Sequence, residues 1–340
     1  METNSRYMQL AAIAVTMGTA AALLIAEVGL RVAGFEFALY PTTVQFGWPD
    51  PVTLEDRYRT DRDLLWVPKE YDATLDAWSG RRPTVAHMGD SCTEFGRYDE
   101  HLAALIAGDD PAADYAFVNL GVGGWSSYQG LAQMRRDVVR LRPAIATIYY
   151  GWNDHWRSYG VQDRHIGEFV REQPRWMDAL SRSRLVQLAQ RAMFTRRRRA
   201  LETRTGTPER VSLPDFESNL AAMVRTARES GIEPVLLTAP TSHRTGSEPA
   251  YLVPRWIDDL DRLVPLHLAY VDVVRNVARA HDVILIDLYG EFGAMPAEEL
   301  DAYFNEDGIH LTEAGNAMIA EIMHDHFVRH GLLEAAGIGR

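Results

Sequence analysis

Residues 84–93 read Thr-Val-Ala-His-Met-Gly-Asp-Ser-Cys-Thr, a nearly unbroken apolar run that ends at Gly89 and is followed at once by polar residues. Such a run is typical of a parallel strand that is covered on both faces. Four further runs of this kind lie at 117–120, 144–150, 234–238 and 283–288. Helical patterns separate them, such as 128–141 and 216–230, the latter ended by Gly231. This alternation predicts an α/β fold with a doubly wound parallel sheet.

Composition and charge exclude several classes of protein. The chain has 340 residues, of which 46% are hydrophobic and 24% charged, so disordered, collagen-like and low-complexity classes are excluded. Acidic residues number 47 and basic residues 35, which gives a net charge of −12. No nucleic-acid partner is therefore expected. The single cysteine, Cys92, excludes an intrachain disulfide and any metal site built from several cysteines.

The N-terminal segment, residues 1–34, is predicted to be a transmembrane anchor. Twenty consecutive uncharged residues lie between Arg6 and Glu27, and a helix of that length spans about 30 Å, the thickness of a bilayer's hydrocarbon core. A cleaved signal peptide is one alternative, but its Ala-x-Ala sequence at 20–22 lies inside the apolar run. A buried amphipathic helix is the other. We expect a membrane-anchored protein whose remaining chain lies outside the cytoplasm.

Two further segments depart from the α/β alternation. Residues 35–82 are rich in Pro, Trp and Asp and are predicted to be a linker and a surface-packing segment. Residues 157–213 show helical patterns only and are predicted to be a helical insertion in a domain that covers 83–335. Between Arg191 and Arg210 seven arginines oppose two glutamates. We interpret these arginines as a solvated helix face, with contact to anionic lipid headgroups or an acidic polymer as the alternative.

Polar groups follow four of the five predicted strands, at the edge of the sheet where α/β proteins bind ligands. They are Ser91, Gly124 in a glycine-rich turn, Asn153, and the pair Asp307 and His310. Together they contain the groups needed for acyl transfer. Ser91 would be the nucleophile, His310 its base and Asp307 the group that orients the imidazole. The N–H groups of Ser91 and Gly124 and the Asn153 amide would stabilise the oxyanion.

Other catalytic or ligand sites fit the sequence less well. The nucleophile elbow of α/β-hydrolases needs a glycine two positions after the serine, where this chain has Thr93. A dinucleotide fingerprint beginning at Gly121 needs Gly or Ala at position 126, which is a serine. We interpret Cys92 as a packing residue and the pair His326 and His330 as part of a solvent-facing helix, so no metal site is expected.

The blocks that contain these residues resemble those of the SGNH, or GDSL-like, family of serine esterases and lipases. The matching blocks are Gly-Asp-Ser at 89–91, Val-Asn-Leu-Gly-Val-Gly-Gly at 118–124, Gly-Trp-Asn-Asp at 151–154 and Asp-Gly-Ile-His-Leu at 307–311. The resemblance covers roughly 83–330 and implies a flavodoxin-like three-layer α/β/α sandwich. It also implies that the name-giving residues are Ser91, Gly124, Asn153 and His310, with Asp307 completing the triad. Gly121 and Gly123 are close alternatives to Gly124.

The expected function is that of a serine esterase, which cleaves a carboxylic ester through a covalent acyl-Ser91 intermediate without metal or organic cofactor. A second hypothesis is an O-acyltransferase that uses the same triad to acylate a cell-surface saccharide. A third is a catalytically silent carbohydrate-binding protein. The expected partners are a small-molecule or saccharide ester and, through the N-terminal helix, a membrane.

Overall fold

A five-stranded parallel sheet forms the centre of the computed structural model, which describes residues 2–37, 57–78, 80–109, 116–158, 160–201, 208–253 and 256–335. The strands, in chain order, are β1 (Tyr58–Asp61), β2 (Leu65–Pro68), β3 (Val85–Gly89), β4 (Phe117–Asn119), β5 (Ile145–Tyr149), β6 (Glu233–Leu237) and β7 (Ile284–Ile286). The sheet has the order β4-β3-β5-β6-β7, and every neighbouring pair is parallel. This order confirms the predicted flavodoxin-like α/β fold.

All five predicted apolar runs form strands, with small changes at their ends. The last strand, β7, has three residues where the pattern predicted six. It ends early because Asp287 turns the chain into a helix: its carboxylate accepts a hydrogen bond from the N–H of Gly290 at 3.2 Å. A capping side chain of this kind satisfies an N–H group that has no partner within the helix.

Helices cover both faces of the sheet. The α-helices of the described residues, including those that do not contact the sheet, are in chain order α1 (Glu2–Val32), α2 (Tyr71–Asp76), α3 (Ser91–Glu94), α4 (Tyr98–Asp109), α5 (Ser127–Gln133), α6 (Val139–Leu141), α7 (Asp163–Glu172), α8 (Arg175–Ala179), α9 (Arg184–Leu201), α10 (Leu213–Glu229), α11 (Leu263–His281), α12 (Leu288–Gly293), α13 (Ala297–Leu300), α14 (Glu313–Arg329) and α15 (Leu332–Ala335). A π-helical turn, Met134–Val138, joins α5 to α6.

Successive strand residues point into two separate cores, as the two-residue period of a strand requires. Ala86 and Ile148 pack in the core under α5, α10 and α11, whereas Val85 and Ile145 pack in the core under α4 and α14. The three layers therefore follow from strands that are apolar on both faces.

Residues 57–78 lie within the predicted linker and surface-packing segment, and they form the β1–β2 antiparallel hairpin and α2. Leu64, Trp66, Tyr71 and Leu75 of this region are buried in the core under α5 and α10. The segment thus contributes to the interior as well as covering it. Its strands have only four residues each, which is too short to give a recognisable period. Residues 38–56 of the predicted linker lie outside the described residues.

The predicted insertion contains α7, α8 and α9. Phe194 of α9 packs edge-on against Phe169 of α7, with ring centroids 5.5 Å apart. The interpretation of its arginines as solvated is wrong for Arg210, which has no exposed surface. Arg210 forms a buried ion pair with Asp163 at 2.7 Å. A buried charge requires such a partner because its transfer from water is costly.

Among the described residues, one helix is long and apolar enough to cross a membrane, Arg6–Val32 within α1. None of its most apolar stretch is buried against the rest of the protein. This length and composition are shared by membrane anchors and signal sequences.

Candidate active site

Ser91 lies at the carboxyl end of β3, at the first position of α3. The preceding residue, Asp90, caps this helix, because its carboxylate accepts a hydrogen bond from the N–H of Cys92 at 2.9 Å. With four residues, α3 is too short for a substantial helix dipole. Individual N–H groups are therefore the main donors available to an anion at Ser91.

Ser91, His310 and Asp307 form one hydrogen-bonded chain. His310 Nε2 lies 2.8 Å from the Ser91 Oγ, and His310 Nδ1 lies 2.5 Å from Asp307 Oδ2. The other carboxylate oxygen, Oδ1, accepts hydrogen bonds from the N–H groups of Ile309 and His310, both at 2.9 Å. Gly308, which lies between Asp307 and Ile309, has a φ of 69°. Glycine adopts this left-handed conformation without steric cost. The two backbone N–H groups thus hold the Asp307 carboxylate independently of its contact with the imidazole.

The triad's electrostatics favour a protonatable His310 beside an ionised Asp307. Burial alone lowers the pKa of His310, but the hydrogen bond and negative charge of Asp307 outweigh burial and leave this pKa above its ordinary value. Burial raises the pKa of Asp307, yet the hydrogen bond and charge of His310 and the two backbone N–H donors leave this pKa below its ordinary value. His310 is therefore suited to accept a proton from Ser91, because the resulting imidazolium is stabilised.

Asn153 lies at the carboxyl end of the neighbouring strand β5 and lines the same cavity as Ser91. Its Nδ2 donates a hydrogen bond to Asp90 Oδ2 at 3.1 Å, which leaves a second N–H on the same nitrogen. Burial raises the pKa of Asp90 to about 6, although the N–H of Cys92 and the Asn153 amide oppose this shift. Asp90 thus accepts a hydrogen bond that orients Asn153, a role that the sequence analysis did not assign to it.

The glycine-rich turn after β4 offers three candidate donors, and only one of them is free within the described part of the chain. The N–H of Gly121 donates to Asn119 Oδ1 at 3.0 Å, and that of Gly123 donates to Glu94 Oε2 at 2.5 Å. Gly124 lines the cavity, has a φ of 77°, and donates its N–H to no described acceptor. The geometry therefore favours Gly124 over Gly121 and Gly123 as the oxyanion donor.

Two segments outside the matched motifs hold this turn in place. From the insertion, Arg210 Nη1 donates to the carbonyl oxygen of Gly124 at 2.7 Å. From the β1–β2 hairpin, Trp66 Nε1 donates to the carbonyl oxygen of Gly123 at 3.0 Å. Sequence reasoning missed both residues. Arg210 was one of seven arginines in its region, and nothing in the local pattern distinguished it from the others.

A cavity of about 450 Å³ opens over the triad. This volume lies within the range of small-molecule sites, about 300–1,000 Å³. Apart from the five candidate catalytic residues, its lining is mainly apolar and aromatic. The larger apolar side chains are Phe95, Trp152, Trp156, Tyr251, Leu252, Trp256, Ile309 and Leu311. The cavity thus combines the Ser91 hydroxyl and the N–H donors of Gly124 and Asn153 with a mainly apolar lining.

Cys92 and His243 contact the loop that contains His310 but are not part of the triad. The Cys92 thiol is buried and contacts the carbonyl oxygen of Ile309 at 3.8 Å, in agreement with a packing role. His243 Nε2 lies 2.7 Å from the carbonyl oxygen of Asp307 and supports the loop from outside. Within the described ranges, no cluster of three or more His, Cys, Asp or Glu residues is arranged to hold a metal ion.

Comparison with known proteins accounts for these motifs. The model of the GDSL-like Lipase/Acylhydrolase family matches residues 87–318. The chain belongs to this family. A comparison with curated protein sequences finds no match.

Several solved structures resemble this GDSL-like hydrolase. A lipase/acylhydrolase from Enterococcus faecalis is 17% identical, with 76% of this chain and 97% of that chain covered and a TM-score of 0.46. A GDSL-like lipase from Bacteroides thetaiotaomicron is 18% identical, with coverages of 78% and 98% and a TM-score of 0.45. An acetylxylan esterase from Geobacillus stearothermophilus is 16% identical, with coverages of 75% and 94% and a TM-score of 0.43.

Proposed function

We propose that this GDSL-like hydrolase cleaves a carboxylic ester through a covalent acyl-Ser91 intermediate. The observation that carries the proposal is the unbroken chain of contacts from Ser91 Oγ to His310 Nε2 at 2.8 Å and from His310 Nδ1 to Asp307 Oδ2 at 2.5 Å, on the floor of an apolar cavity. A serine hydroxyl is a weak nucleophile at neutral pH, and this chain supplies the base that activates it.

In the acylation step, Ser91 Oγ attacks the ester carbonyl carbon while His310 Nε2 takes the hydroxyl proton. The carbonyl oxygen becomes an oxyanion, which accepts hydrogen bonds from the N–H groups of Ser91 and Gly124 and from Asn153 Nδ2. When the tetrahedral intermediate collapses, the bond to the alcohol oxygen breaks. His310 returns its proton to that oxygen, and the alcohol leaves the acyl group on Ser91.

In the deacylation step, water takes the place of the alcohol. His310 accepts a proton from the water as its oxygen attacks the acyl carbon, and the same three donors stabilise the second oxyanion. Collapse breaks the bond to Ser91 Oγ, which recovers its proton from His310. The carboxylic acid leaves, and Ser91 and His310 return to their starting protonation states.

Acyl transfer to a saccharide is a second candidate, because a sugar hydroxyl can replace water in deacylation. One aromatic side chain of the cavity supports it, because Tyr251 is 56% exposed, and the partly buried Trp256 also lines the cavity. Exposed rings of this kind stack on apolar sugar faces as well as on acyl chains. Product analysis with an acetyl ester, with and without added saccharide, distinguishes the two reactions. A saccharide-dependent acylated product supports transfer, and release of acetate alone supports hydrolysis.

We also propose that α1 anchors this hydrolase in a membrane with the catalytic domain outside the cytoplasm. Its support is the apolar stretch in Arg6–Val32, none of which is buried against the rest of the protein. The intact mass of protein purified from membranes tests the anchor: retention of residues 1–34 supports it, whereas a chain that begins after them indicates a signal sequence. Protease protection in sealed vesicles tests the orientation.

The nucleophile is tested with Ser91→Ala and with Ser247→Ala, an exposed serine in a turn, as the matched control. We expect Ser91→Ala to abolish turnover of a p-nitrophenyl ester and labelling by a fluorophosphonate, with the thermal midpoint nearly unchanged. The control should keep both activities. Turnover retained by Ser91→Ala contradicts the nucleophile assignment. A wild-type protein that shows neither turnover nor labelling supports the catalytically silent alternative.

A further inference from the structure

The last turns of α1 are attached to the start of α9 in the insertion. The carboxylate of Glu27 accepts hydrogen bonds from the Ser183 hydroxyl at 2.9 Å and from the N–H groups of Arg184 and Leu185 at 3.1 and 3.0 Å. These are N-terminal groups of α9 that lack partners within the helix. Arg31 Nη2 also donates to the carbonyl oxygen of Arg182 at 2.8 Å. The beginning of α9 is therefore held at the point where the apolar part of α1 ends.

Exposed apolar side chains lie beside this junction. Trp176 in α8 is 57% exposed and Leu180 is 51% exposed, and Leu180 precedes by only two residues the carbonyl group that Arg31 contacts. Tryptophan is enriched where a membrane meets water, because its ring is apolar and its N–H is polar. In the proposed anchoring, this junction is where α1 leaves the bilayer, a level that favours a tryptophan side chain.

A basic surface continues from the junction along α9. We call it the basic groove, and its residues are Leu188, Arg191, Ala192, Thr195, Arg196 and Arg199. Its three arginines are exposed, and among the described residues none has a carboxylate within 4.0 Å. Arg197, on the neighbouring side, differs: it pairs with Glu168 at 3.3 Å and with Glu172 at 2.5 Å. Within the described residues, the three groove arginines thus lack a carboxylate partner in a protein with a net charge of −12. The Arg191 guanidinium also lies over the Phe35 ring, 5.7 Å from its centroid.

We propose that the basic groove binds the headgroups of anionic phospholipids and holds the insertion against the bilayer that α1 enters. The proposal rests on the proposed anchoring by α1. Charge complementarity supports it, since anionic headgroups attract arginines within a Debye length of about 8 Å. So does the position of the groove on α9, the helix whose first residues bind Glu27 near the end of α1. An amphipathic, basic surface of this kind is typical of helices that lie in the membrane interface.

The test uses the full chain in a neutral detergent and measures binding of short-chain phosphatidylglycerol by native mass spectrometry. The variant R191Q/R196Q/R199Q removes the three groove charges. The matched control, R225Q/R279Q/R329Q, removes three exposed arginines elsewhere. We expect the groove variant to weaken binding about a hundredfold, at about fivefold per arginine, and the control variant to change it less than twofold. Phosphatidylcholine should bind weakly to all three proteins.

Three results overturn the proposal. One is equal binding of phosphatidylglycerol by both triple variants; another is equal binding of phosphatidylglycerol and phosphatidylcholine by the wild type. The third is tight, groove-dependent binding of an acidic polysaccharide without binding of phosphatidylglycerol, which favours an acidic polymer as the partner. Ester turnover, measured on the same samples, and the intact mass of the chain report failure of the catalytic and anchoring proposals separately.

Discussion

The buried ion pair between Arg210 and Asp163 provides a test of how the insertion supports catalysis. Both side chains are fully buried, and Arg210 also donates to the carbonyl oxygen of Gly124 at 2.7 Å. Ser126 Oγ donates to Asp163 Oδ2 at 2.7 Å. Arg210→Met keeps most of the side-chain volume but leaves the Asp163 carboxylate with neutral donors only. It also frees the carbonyl group of Gly124, the residue whose N–H is the candidate oxyanion donor.

Removal of one partner of a buried pair costs about 3–5 kcal/mol, because an uncompensated charge stays in the interior. For a domain of this size about 2 °C of the thermal midpoint corresponds to 1 kcal/mol, so we expect Arg210→Met to lower the midpoint by roughly 6–10 °C. We expect kcat to fall about 10–100-fold. This is less than the 10²–10³-fold loss for deletion of an oxyanion donor, because the Gly124 N–H is present but no longer held in position.

The double variant Arg210→Met/Asp163→Leu separates stability from catalysis. Replacement of a whole buried pair by apolar residues is often neutral, so the midpoint should recover while kcat stays low. Arg164→Met is the matched control, because Arg164 forms a partly exposed pair with Asp215 at 2.9 Å and exposed pairs contribute only about 0–1 kcal/mol. Thermal unfolding followed by circular dichroism and steady-state hydrolysis of a soluble ester measure both effects. Full recovery of kcat in the double variant, or a midpoint for Arg210→Met equal to that of the control, would refute this reasoning.

Three further predictions concern the catalytic groups and the anchor. Asn153→Ala should lower kcat about 10²–10³-fold with a smaller change in KM; an unchanged kcat in steady-state assays removes Asn153 from the oxyanion site. Because His310 must be neutral to act as a base and its pKa is raised, kcat/KM should fall as pH decreases through a value above the ordinary 6.5. In Asp307→Asn this acidic limb should move to lower pH and kcat should fall about 10⁴-fold; an unmoved limb contradicts the coupling. Glu27→Ala should weaken the start of α9, because the N–H groups of Arg184 and Leu185 lose their acceptor; this is visible as about fivefold faster amide exchange at 184–188, whereas unchanged exchange there argues against a capping role.

The positions of the strands along the chain and the polar residues that follow them could be read from local sequence. The apolar runs at β3, β5 and β6 are continuous because both faces of a central parallel strand are buried. Ser91, Asn153 and His310 could be assigned because each lies in a short motif next to a strand end or loop. Local sequence was less informative for the hairpin at 57–78, whose burial depends on contacts with distant helices.

Which of the neighbouring glycines faces the cavity depended on the tertiary structure. The sequence left Gly121 and Gly123 as close alternatives to Gly124. The fold distinguishes them because Asn119 and Glu94 accept hydrogen bonds from the N–H groups of Gly121 and Gly123. In the same way, Asp90 can orient the Asn153 amide only because β3 and β5, the strands that precede these two residues, are neighbours in the sheet.

The sequence by itself determined the doubly wound sheet, the identity of the candidate nucleophile, base and orienting acid, and an N-terminal helix able to span a bilayer. These features depend on residue type and on spacing over a few turns of chain. Tertiary structure alone decided that Arg210 is buried beneath the oxyanion turn while Arg191, Arg196 and Arg199 remain exposed. The physical reason is that a guanidinium enters the interior only where a carboxylate and a carbonyl oxygen already lie close together, and that meeting is set by the packing of distant segments.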